Sequence, residues 1–364
     1  MFVVGSLNIG GIQRVNAVLA NYLGEEQEVF VFTAGSRDES AYPMNVPVIK
    51  SKKNENWNLI INLIRISGLL HLDFIKRCIF KKAAQRISDV IEKQQPDVLI
   101  LNAENILYLP FIKKKHPNLK YVSWLHTNTN IYLDRVFKGA NKDFIDGLTK
   151  SDTVVCLTEE DLRILKTYNS NTVVIYSPLT NNQTQVASLD TKIISWTGRI
   201  ANPVKGLDYL AEVASQLPQE WKISVAGSGN DELFDKLIKK YGSENKIIRH
   251  GSLTGDKLKE HYLNSSIYLM TSRWEGFGLV LVEAMSFGLP IVAFKQSGSN
   301  EVLKAGESGI LIENGDVGAM VAALLELIND KQKRETYQQK SLSRVKDFDK
   351  AKILSKWREI ICMT

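Results

Sequence analysis

The sequence predicts an α/β protein built from two doubly wound units, each a parallel sheet with helices on both faces. Three observations predict it. Short apolar runs alternate with helix-period segments from end to end, which is the pattern of strand–helix–strand crossovers and so of parallel strands. A length of 364 residues exceeds what one hydrophobic core organises, so two domains are expected. Between residues 177 and 191 the periodicity lapses into Pro178, Asn181, Asn182 and several Ser and Thr, which reads as a linker.

Taken in order, the chain opens on the strand-like run Phe2-Val3-Val4 and a Gly-containing loop. Buried strands are expected at 29–33, 98–101, 121–125, 153–157 and 173–176, with helices at 14–23, 83–93 and 159–167 between them. Thr158, with the acid Asp161 three residues on, has the spacing of a capping box at the start of a helix. In the second half, strands are expected at 193–197, 222–226, 247–251, 267–270, 291–293 and 309–312, and helices at 206–216, 232–241 and 317–328. The tail from Lys331 is charged and helix-prone, and 348–361 keeps an apolar stripe through Ile353, Leu354, Trp357, Ile360 and Ile361. Such a stripe needs a surface to bury against. The expected division is a first domain over 1–176, a linker over 177–191, a second domain over 192–345 and a terminal helix over 346–364.

With 44% hydrophobic and 24% charged residues, the composition is that of a soluble globular protein and excludes a disordered chain. Cys78, Cys156 and Cys362 are odd in number and far apart, which suits a reducing compartment and no disulfide framework. No signal-peptide pattern opens the chain, and the apolar stretch 57–75 is broken by Asn58, Asn62, Arg65, His71 and Asp73. A cytoplasmic protein is expected. Net charge is +6, and residues 50–120 hold 14 Lys or Arg against 6 Asp or Glu. The clusters Lys50-Lys52-Lys53, Lys76-Arg77, Lys81-Lys82 and Lys113-Lys114-Lys115 carry most of this excess. Two readings stand side by side: a basic face held on anionic lipid at the inner side of a membrane, or solvated helix faces. No recognition motif accompanies the charge, so nucleic acid is not an expected partner.

The densest chemical signal is Ser272-Arg273-Trp274-Glu275-Gly276-Phe277-Gly278-Leu279, continuing to Glu283. It follows a strand and opens a helix, which places its glycines at the strand's C-terminal edge, where open α/β sheets bind ligands. Gly276 and Gly278 let backbone approach a ligand, and free N–H groups of the first helical turn can receive phosphate. Glu275 and Glu283 are about 12 Å of helical rise apart, so one carboxylate can meet a sugar and the other a ribose. The same residues also suit a plain Gly-rich connection with an acid favoured by the helix dipole. Before this motif, Gly198-Arg199 ends a strand and Lys205-Gly206 opens a helix. A guanidinium fork and an ammonium there suit a diphosphate, or are two surface cations. Gly227 and Gly229 end the next strand as a Gly-x-Gly turn.

The order Gly10-Gly11, Gly198-Arg199 with Lys205-Gly206, Ala226-Gly227-x-Gly229, then Glu275-Gly276-Phe277-Gly278 with Glu283 beyond resembles family 4 retaining glycosyltransferases. The resemblance covers nearly the whole chain and is strongest over 193–327. It implies a GT-B fold, with two Rossmann-like domains facing across a cleft and a terminal helix crossing back to the first. It implies that Arg199 and Lys205 neutralise the diphosphate of a nucleotide-sugar donor, with UDP the expected nucleotide. Glu275 would contact the transferred sugar, and the backbone of Gly276, Phe277, Gly278 and Leu279 would line sugar and phosphate. Glu283 would hold the ribose, His250 and Leu253 would border the base, and Gly227 would belong to the donor site. Gly10 and Gly11 would lie on the acceptor and phosphate side. His126, after the strand 121–125, would contact the donor sugar, or is bonded locally. The implied mechanism retains the anomeric configuration by front-face attack, with no metal and no other cofactor.

Gln13 stands where the first loop of the family has glutamate, and 297–301 lacks the Gly-Pro pair often seen before Glu301. These departures touch the acceptor side and the closing of the loop near the sugar. The leading expectation is a hexosyltransferase acting on a glycan or lipid-linked glycan acceptor in surface polysaccharide or glycoconjugate synthesis. A sugar-nucleotide epimerase on the same fold and a nucleotide-sugar-binding subunit without turnover are the alternatives.

Overall fold

A computed structural model of the chain describes residues 1–8, 10–33, 40–51, 73–180, 184–201 and 203–362. The stretch 57–72, Lys52, Lys53 and His71, together with Asn181 and Asn182 of the expected linker, lie outside the described residues. The chain divides into two compact units. The first comprises Met1–Pro178 together with Ala351–Thr364, the second Leu179–Lys350. Two Rossmann-like units of this kind make the GT-B fold.

In the first unit a seven-stranded parallel sheet runs in the order β3-β2-β1-β4-β5-β6-β7. Its strands are β1 (Phe2–Val4), β2 (Val31–Thr33), β3 (Val48–Lys50), β4 (Val98–Asn102), β5 (Lys120–Trp124), β6 (Thr153–Cys156) and β7 (Thr172–Val174). Helices α1 (Gly11–Leu23), α2 (Asp73–Gln94), α3 (Leu109–Lys115), α4 (Asn141–Lys150) and α5 (Glu159–Leu165) connect them. Thr158 caps α5 as its spacing implied, its hydroxyl taking the Asp161 N–H at 3.1 Å. The edge strand β3 has no counterpart in the sequence reading, because three residues beside Pro43 and Pro47 carry too little period to register.

Helix α2 already runs at Asp73, ten residues before its apolar period suggested. The reason lies in Lys76, which reads as a surface cation in sequence but is buried at 7% exposure. Its ammonium pairs with Asp143 of α4 at 2.8 Å and Asp73 at 3.0 Å. Lys76 is therefore removed from the basic face, while Arg77, Lys81 and Lys82 remain exposed on the same helix.

The second unit repeats the plan with six parallel strands in the order β10-β9-β8-β11-β12-β13. These are β8 (Ile193–Thr197), β9 (Lys222–Ala226), β10 (Ile247–Arg249), β11 (Ile267–Met270), β12 (Ile291–Phe294) and β13 (Ile310–Ile312). Helices α6 (Leu207–Ser215), α7 (Asp231–Tyr241), α8 (Gly255–Leu263), α9 (Leu279–Ser286), α10 (Ser297–Val302), α11 (Val317–Asn329) and α12 (Lys331–Arg344) complete it. Residues 184–191, read from sequence as linker, are packed onto this unit. Ala187 and Leu189 are buried, and the Ala187 N–H donates to the Phe287 carbonyl at 2.9 Å. An irregular segment docked through its backbone shows no side-chain period, which is why it looked like a tether.

The last helix, α13 (Lys350–Cys362), belongs to the first unit. Ile353, Leu354 and Trp357 are its buried stripe. The Trp357 ring meets Trp124 edge-on at 4.6 Å between centroids, and Arg358 pairs with Glu26 at 2.6 Å. Replacing a fully buried indole by a methyl group costs about 3–5 kcal/mol. Trp357→Ala is therefore expected to lower the stability of the first unit by that amount, read as a shifted urea midpoint. An unchanged midpoint would show that α13 adds nothing to that core.

Candidate functional site

In the second unit strand order reverses between β8 and β11, which lie side by side. Crevices at such switch points are where open sheets bind ligands. The Gly198 N–H donates to the Ala226 carbonyl at 3.0 Å, extending the β8–β9 pairing past the sheet. A side chain at Gly227 has no room, since a Cβ there would stand 1.8 Å from the Gly198 oxygen. Arg199 is exposed at this rim, and no carboxylate among the described residues forms an ion pair with it.

The loops after β8 and β11 are tied to one another. Thr271 donates its hydroxyl to the Lys205 carbonyl at 2.9 Å, and the Arg273 N–H reaches the Val204 carbonyl at 2.8 Å. The Arg273 guanidinium grips Asp208 of α6 with two bonds of 2.9 and 2.6 Å and lies 4.0 Å over the Tyr209 ring. The pairing with Asp208 raises the Arg273 pKa further. Arg273 is thus structural, a fork-to-carboxylate lock.

Within this frame Lys205 and Glu275 form an ion pair through Glu275 Oε1. The Ser272 hydroxyl donates to the same oxygen at 2.7 Å. Only 19% and 16% of the two charged side chains are exposed, so solvent screens the pair weakly. The Glu275 N–H donates to the Gln296 Oε1 at 3.2 Å. Beyond it, Gly278 takes φ 89° as the N-cap of α9 and offers no capping side chain. The left-handed conformation suits glycine, and the first turn of α9 presents N–H groups with the positive end of the helix dipole. Phe277 is buried and meets Phe348 edge-on at 5.6 Å. Gly276 and Leu279 are half-buried beside it.

Further along α9, Glu283 is buried and accepts a 3.1 Å bond from the Tyr262 hydroxyl. Burial first, and the Glu283 charge second, push that hydroxyl's pKa far up. His250 and Leu253 line an open pocket of about 410 Å³ beside α8. Among the described residues no three His, Cys, Asp or Glu side chains converge as a metal site.

The remaining sequence candidates belong to the first unit. Gly11 is exposed at the start of α1, and the Gly10 N–H bonds the Tyr42 hydroxyl at 3.2 Å. His126 is buried, with its Nε2 against the Asn102 side-chain oxygen and its ring 4.3 Å from Trp124. Burial lowers its pKa to about 3, so it is neutral at any physiological pH. The structure gathers Arg199, Lys205, Gly227, Glu275, Gly276, Phe277, Gly278, Leu279 and Glu283 in the second unit around the two loops and α9. It also gives a part to Ser272, which the sequence reading named without a role, and to Gln296, which it passed over. Ser272 could have been found from its spacing to Glu275; Gln296 could have been read as a helix N-cap, but its bond to Glu275, 21 residues earlier, has no local signal.

Comparisons with known proteins follow the same boundary. Residues 180–344 match the family model of Glycosyl transferases group 1. Over 99% of its length the chain is 27% identical to an uncharacterized glycosyltransferase of Haemophilus influenzae, covering 98% of that protein. It is 27% identical to the poly(ribitol-phosphate) alpha-N-acetylglucosaminyltransferase of Staphylococcus aureus, over 66% of this chain and 50% of that one. The crystal structure of Anabaena HepE in complex with UDP and glucose superposes with a TM-score of 0.77, at 17% identity, covering 100% of this chain and 99% of that one. The two units thus share the GT-B fold, the second carries the match to Glycosyl transferases group 1, and along its whole length the chain is similar to a glycosyltransferase.

Gln296 holds the Glu275 loop from behind. Its side-chain oxygen takes the N–H groups of both Glu275 and Gly298, the latter at 2.8 Å. Gly298 sits so close to Phe277 that a Cβ would lie 2.7 Å from the Phe277 oxygen. Gln296→Ala is expected to speed hydrogen exchange at the Glu275 and Gly298 amides about tenfold, one hydrogen bond's worth of protection. Unaltered exchange at both amides would show that the loop is held without it.

Proposed function

We propose that the protein is a retaining hexosyltransferase that moves a hexose from a UDP-sugar to a glycan or lipid-linked glycan in surface polysaccharide or glycoconjugate synthesis. The observation that carries this reading is the Lys205–Glu275 pair at the switch point, with Arg199 exposed beside it and the N-terminus of α9 beyond. The polymer-directed activity of the Staphylococcus aureus relative and the UDP complex of HepE support the substrate class.

In this reading Arg199 and Lys205 take the diphosphate, and the first turn of α9 adds its dipole. Glu275 meets hydroxyls of the transferred hexose, and Glu283 holds the ribose. His250 and Leu253 border the base. Gly10, Gly11 and His126 are assigned by the family's pattern to the acceptor side and the sugar. The acceptor oxygen attacks the anomeric carbon from the face that the phosphate leaves, so configuration is kept. As that carbon–oxygen bond forms, the bond to the phosphate oxygen breaks, and the departing phosphate receives the acceptor's proton. Negative charge grows on the diphosphate as it leaves, and two cations with a helix terminus stabilise that charge electrostatically. This supports transfer without a metal, since the cations do at the diphosphate what a divalent ion does elsewhere. Before donor binds, Glu275 keeps Lys205 oriented; the diphosphate then shares the ammonium.

Among the described residues no helix is long and apolar enough to cross a membrane. Peripheral contact with anionic lipid at the cytoplasmic face is the location we propose. The first turns of α2 support it: Phe74 is 79% and Ile75 44% exposed, beside Arg77, Lys81 and Lys82. Each cation near such a surface contributes about 1 kcal/mol.

Calorimetric titration with UDP, GDP and ADP, with and without EDTA, tests the donor site. Selective UDP binding that EDTA leaves unchanged is expected; binding of none of the three would sink the transferase reading. Glu275→Ala is expected to keep UDP affinity within about twofold while transfer falls by 10³-fold or more, on the order of the loss of a key transition-state contact. Loss of UDP affinity in that variant would remove Glu275 from the sugar. For the location, Arg77→Gln with Lys81→Gln and Lys82→Gln should weaken binding to phosphatidylserine vesicles by about 100-fold. Unchanged vesicle binding would leave these cations as solvated groups.

A further inference from the structure

The first sheet has a switch point of its own. Strand order reverses between β1 and β4, which lie side by side. Four buried polar side chains gather at the end of β4: Asn16 of α1, Asn102, Asn105 and His126. The backbone turns at Ala103 with φ 40°, a left-handed conformation that is strained for any residue with a side chain. Asn105 braces that turn, its Nδ2 donating to the Asn102 carbonyl at 3.1 Å and the Val3 carbonyl at 3.3 Å.

Backbone carbonyls fix which way each amide faces. Asn16 Nδ2 donates to the Ile12 carbonyl at 2.9 Å, and a carbonyl only accepts, so the Asn16 nitrogen lies on that side. The same nitrogen donates to Asn102 Oδ1 at 3.1 Å, and Asn102 Nδ2 donates back to Asn16 Oδ1 at 3.0 Å. Asn102 Nδ2 also reaches the Val3 carbonyl at 3.4 Å. Turning either amide over would set its oxygen against a carbonyl oxygen. The atom of Asn102 that faces His126 Nε2 is therefore an oxygen. It only accepts, so His126 Nε2 carries hydrogen. Trp124 against the ring, and a 3.3 Å bond from the His126 N–H to the Tyr132 hydroxyl, keep the histidine in place. A buried ring that bonds no carboxylate holds one proton rather than two, which leaves Nδ1 bare. Among the described residues Nδ1 has no hydrogen-bond partner.

We propose that Asn16 and Asn102 hold His126 as an acceptor-only group, whose Nδ1 takes a hydroxyl hydrogen from the hexose of the sugar donor. This rests on the reading above that His126 contacts that sugar. A hydroxyl has a hydrogen to give to a bare ring nitrogen. A substituent that only accepts sets lone pair against lone pair there, and burial makes the mismatch costly. His126 thereby selects a free hydroxyl at one ring position. Asn16 and Asn102 are positioning residues, acting through His126.

Nitrogen-15 spectra of the five histidines, with His126 assigned by His126→Gln, report which ring nitrogen carries hydrogen. In the unmodified protein His126 is expected as the Nε2–H form. Binding is read by calorimetry with UDP-glucose or UDP-galactose, whichever binds more tightly. The analogues in which one hydroxyl at a time is replaced by fluorine, which has no hydrogen to donate, are titrated beside it. Fluorine at the position that His126 reads is expected to weaken binding about tenfold, one hydrogen bond's worth. Asn102→Asp keeps the shape but sets a negative charge against Nε2, which favours a second proton on the ring. Nδ1 then donates, so the same fluorine is expected to cost no more than about twofold. Asn16→Ala, which frees the Asn102 amide to turn over, is expected to give a mixture of the two His126 tautomers. An Nδ1–H or doubly protonated ring in the unmodified protein overturns the proposal, and that spectrum decides even if Asn102→Asp does not fold. Fluorine penalties that Asn102→Asp leaves unchanged overturn it too, while UDP binding stands. If UDP itself is not bound, the donor reading falls, and the ligand assigned to His126 falls with it whatever the tautomer.

Discussion

The second unit rests on an approach of backbone to backbone in which no side chain takes part. Where β8 and β9 run out of the sheet, Gly227 lies against the Gly198 carbonyl, and Gly229 against that of Ile200, with Cβ clearances of 1.8 and 2.3 Å. Two chain segments packed this closely extend the sheet's hydrogen bonding into its loops. The rim that carries Arg199 is therefore as firmly placed as a strand. Loops normally carry function on a rigid scaffold; here the scaffold continues into the loop. Arg273 does the same for the next loop by a charged lock onto α6, and Gln296 for the Glu275 segment. Three unlike devices hold three successive segments around one crevice.

Much of this was legible in the sequence, for a physical reason. Parallel strands buried on both faces are continuous apolar runs, and three of the six in the second unit begin and end where the sequence placed them: β8, β9 and β11. Two of the glycines have a physical reason to be glycine: a Cβ at 227 has no room beside the Gly198 carbonyl, and 278 takes a left-handed φ of 89°. What escaped notice shares a different property. β3 is short and at a sheet edge. Lys76 looks like any lysine until Asp143, 67 residues on, is folded against it. The Gln296 side-chain oxygen meets the Glu275 N–H, 21 residues earlier, only because a crossover brings the two together. A local pattern records what a residue does to its neighbours in sequence, and these residues act on neighbours in space.

The pairing of Lys205 with Glu275 joins two groups that each have a separate task toward the donor. Leaving a cation unpartnered in a largely dry crevice is costly, and so is leaving a carboxylate there. Pairing them keeps both charged and both in place. A diphosphate offers Lys205 a second anion, and Glu275, already steadied by Ser272 and by Gln296 behind it, keeps its place for the sugar. The crevice is thus organised before the donor arrives, which spares the ordering entropy that binding would otherwise cost.

The return of α13 to the first unit has a consequence in time. Residues 351–364 complete a unit whose other residues end at 178, and the whole second unit is encoded between them. Domains generally fold as they leave the ribosome. Here the first unit emerges with the surface around Trp124 uncovered and waits through the synthesis of 172 further residues, Leu179–Lys350, before Trp357 can cover it. At about 5–20 residues per second that wait is on the order of ten to thirty seconds. A chain that stops early keeps an open aromatic surface of the kind chaperones and proteases recognise. The making of α13 is therefore the step that closes the core of the first unit.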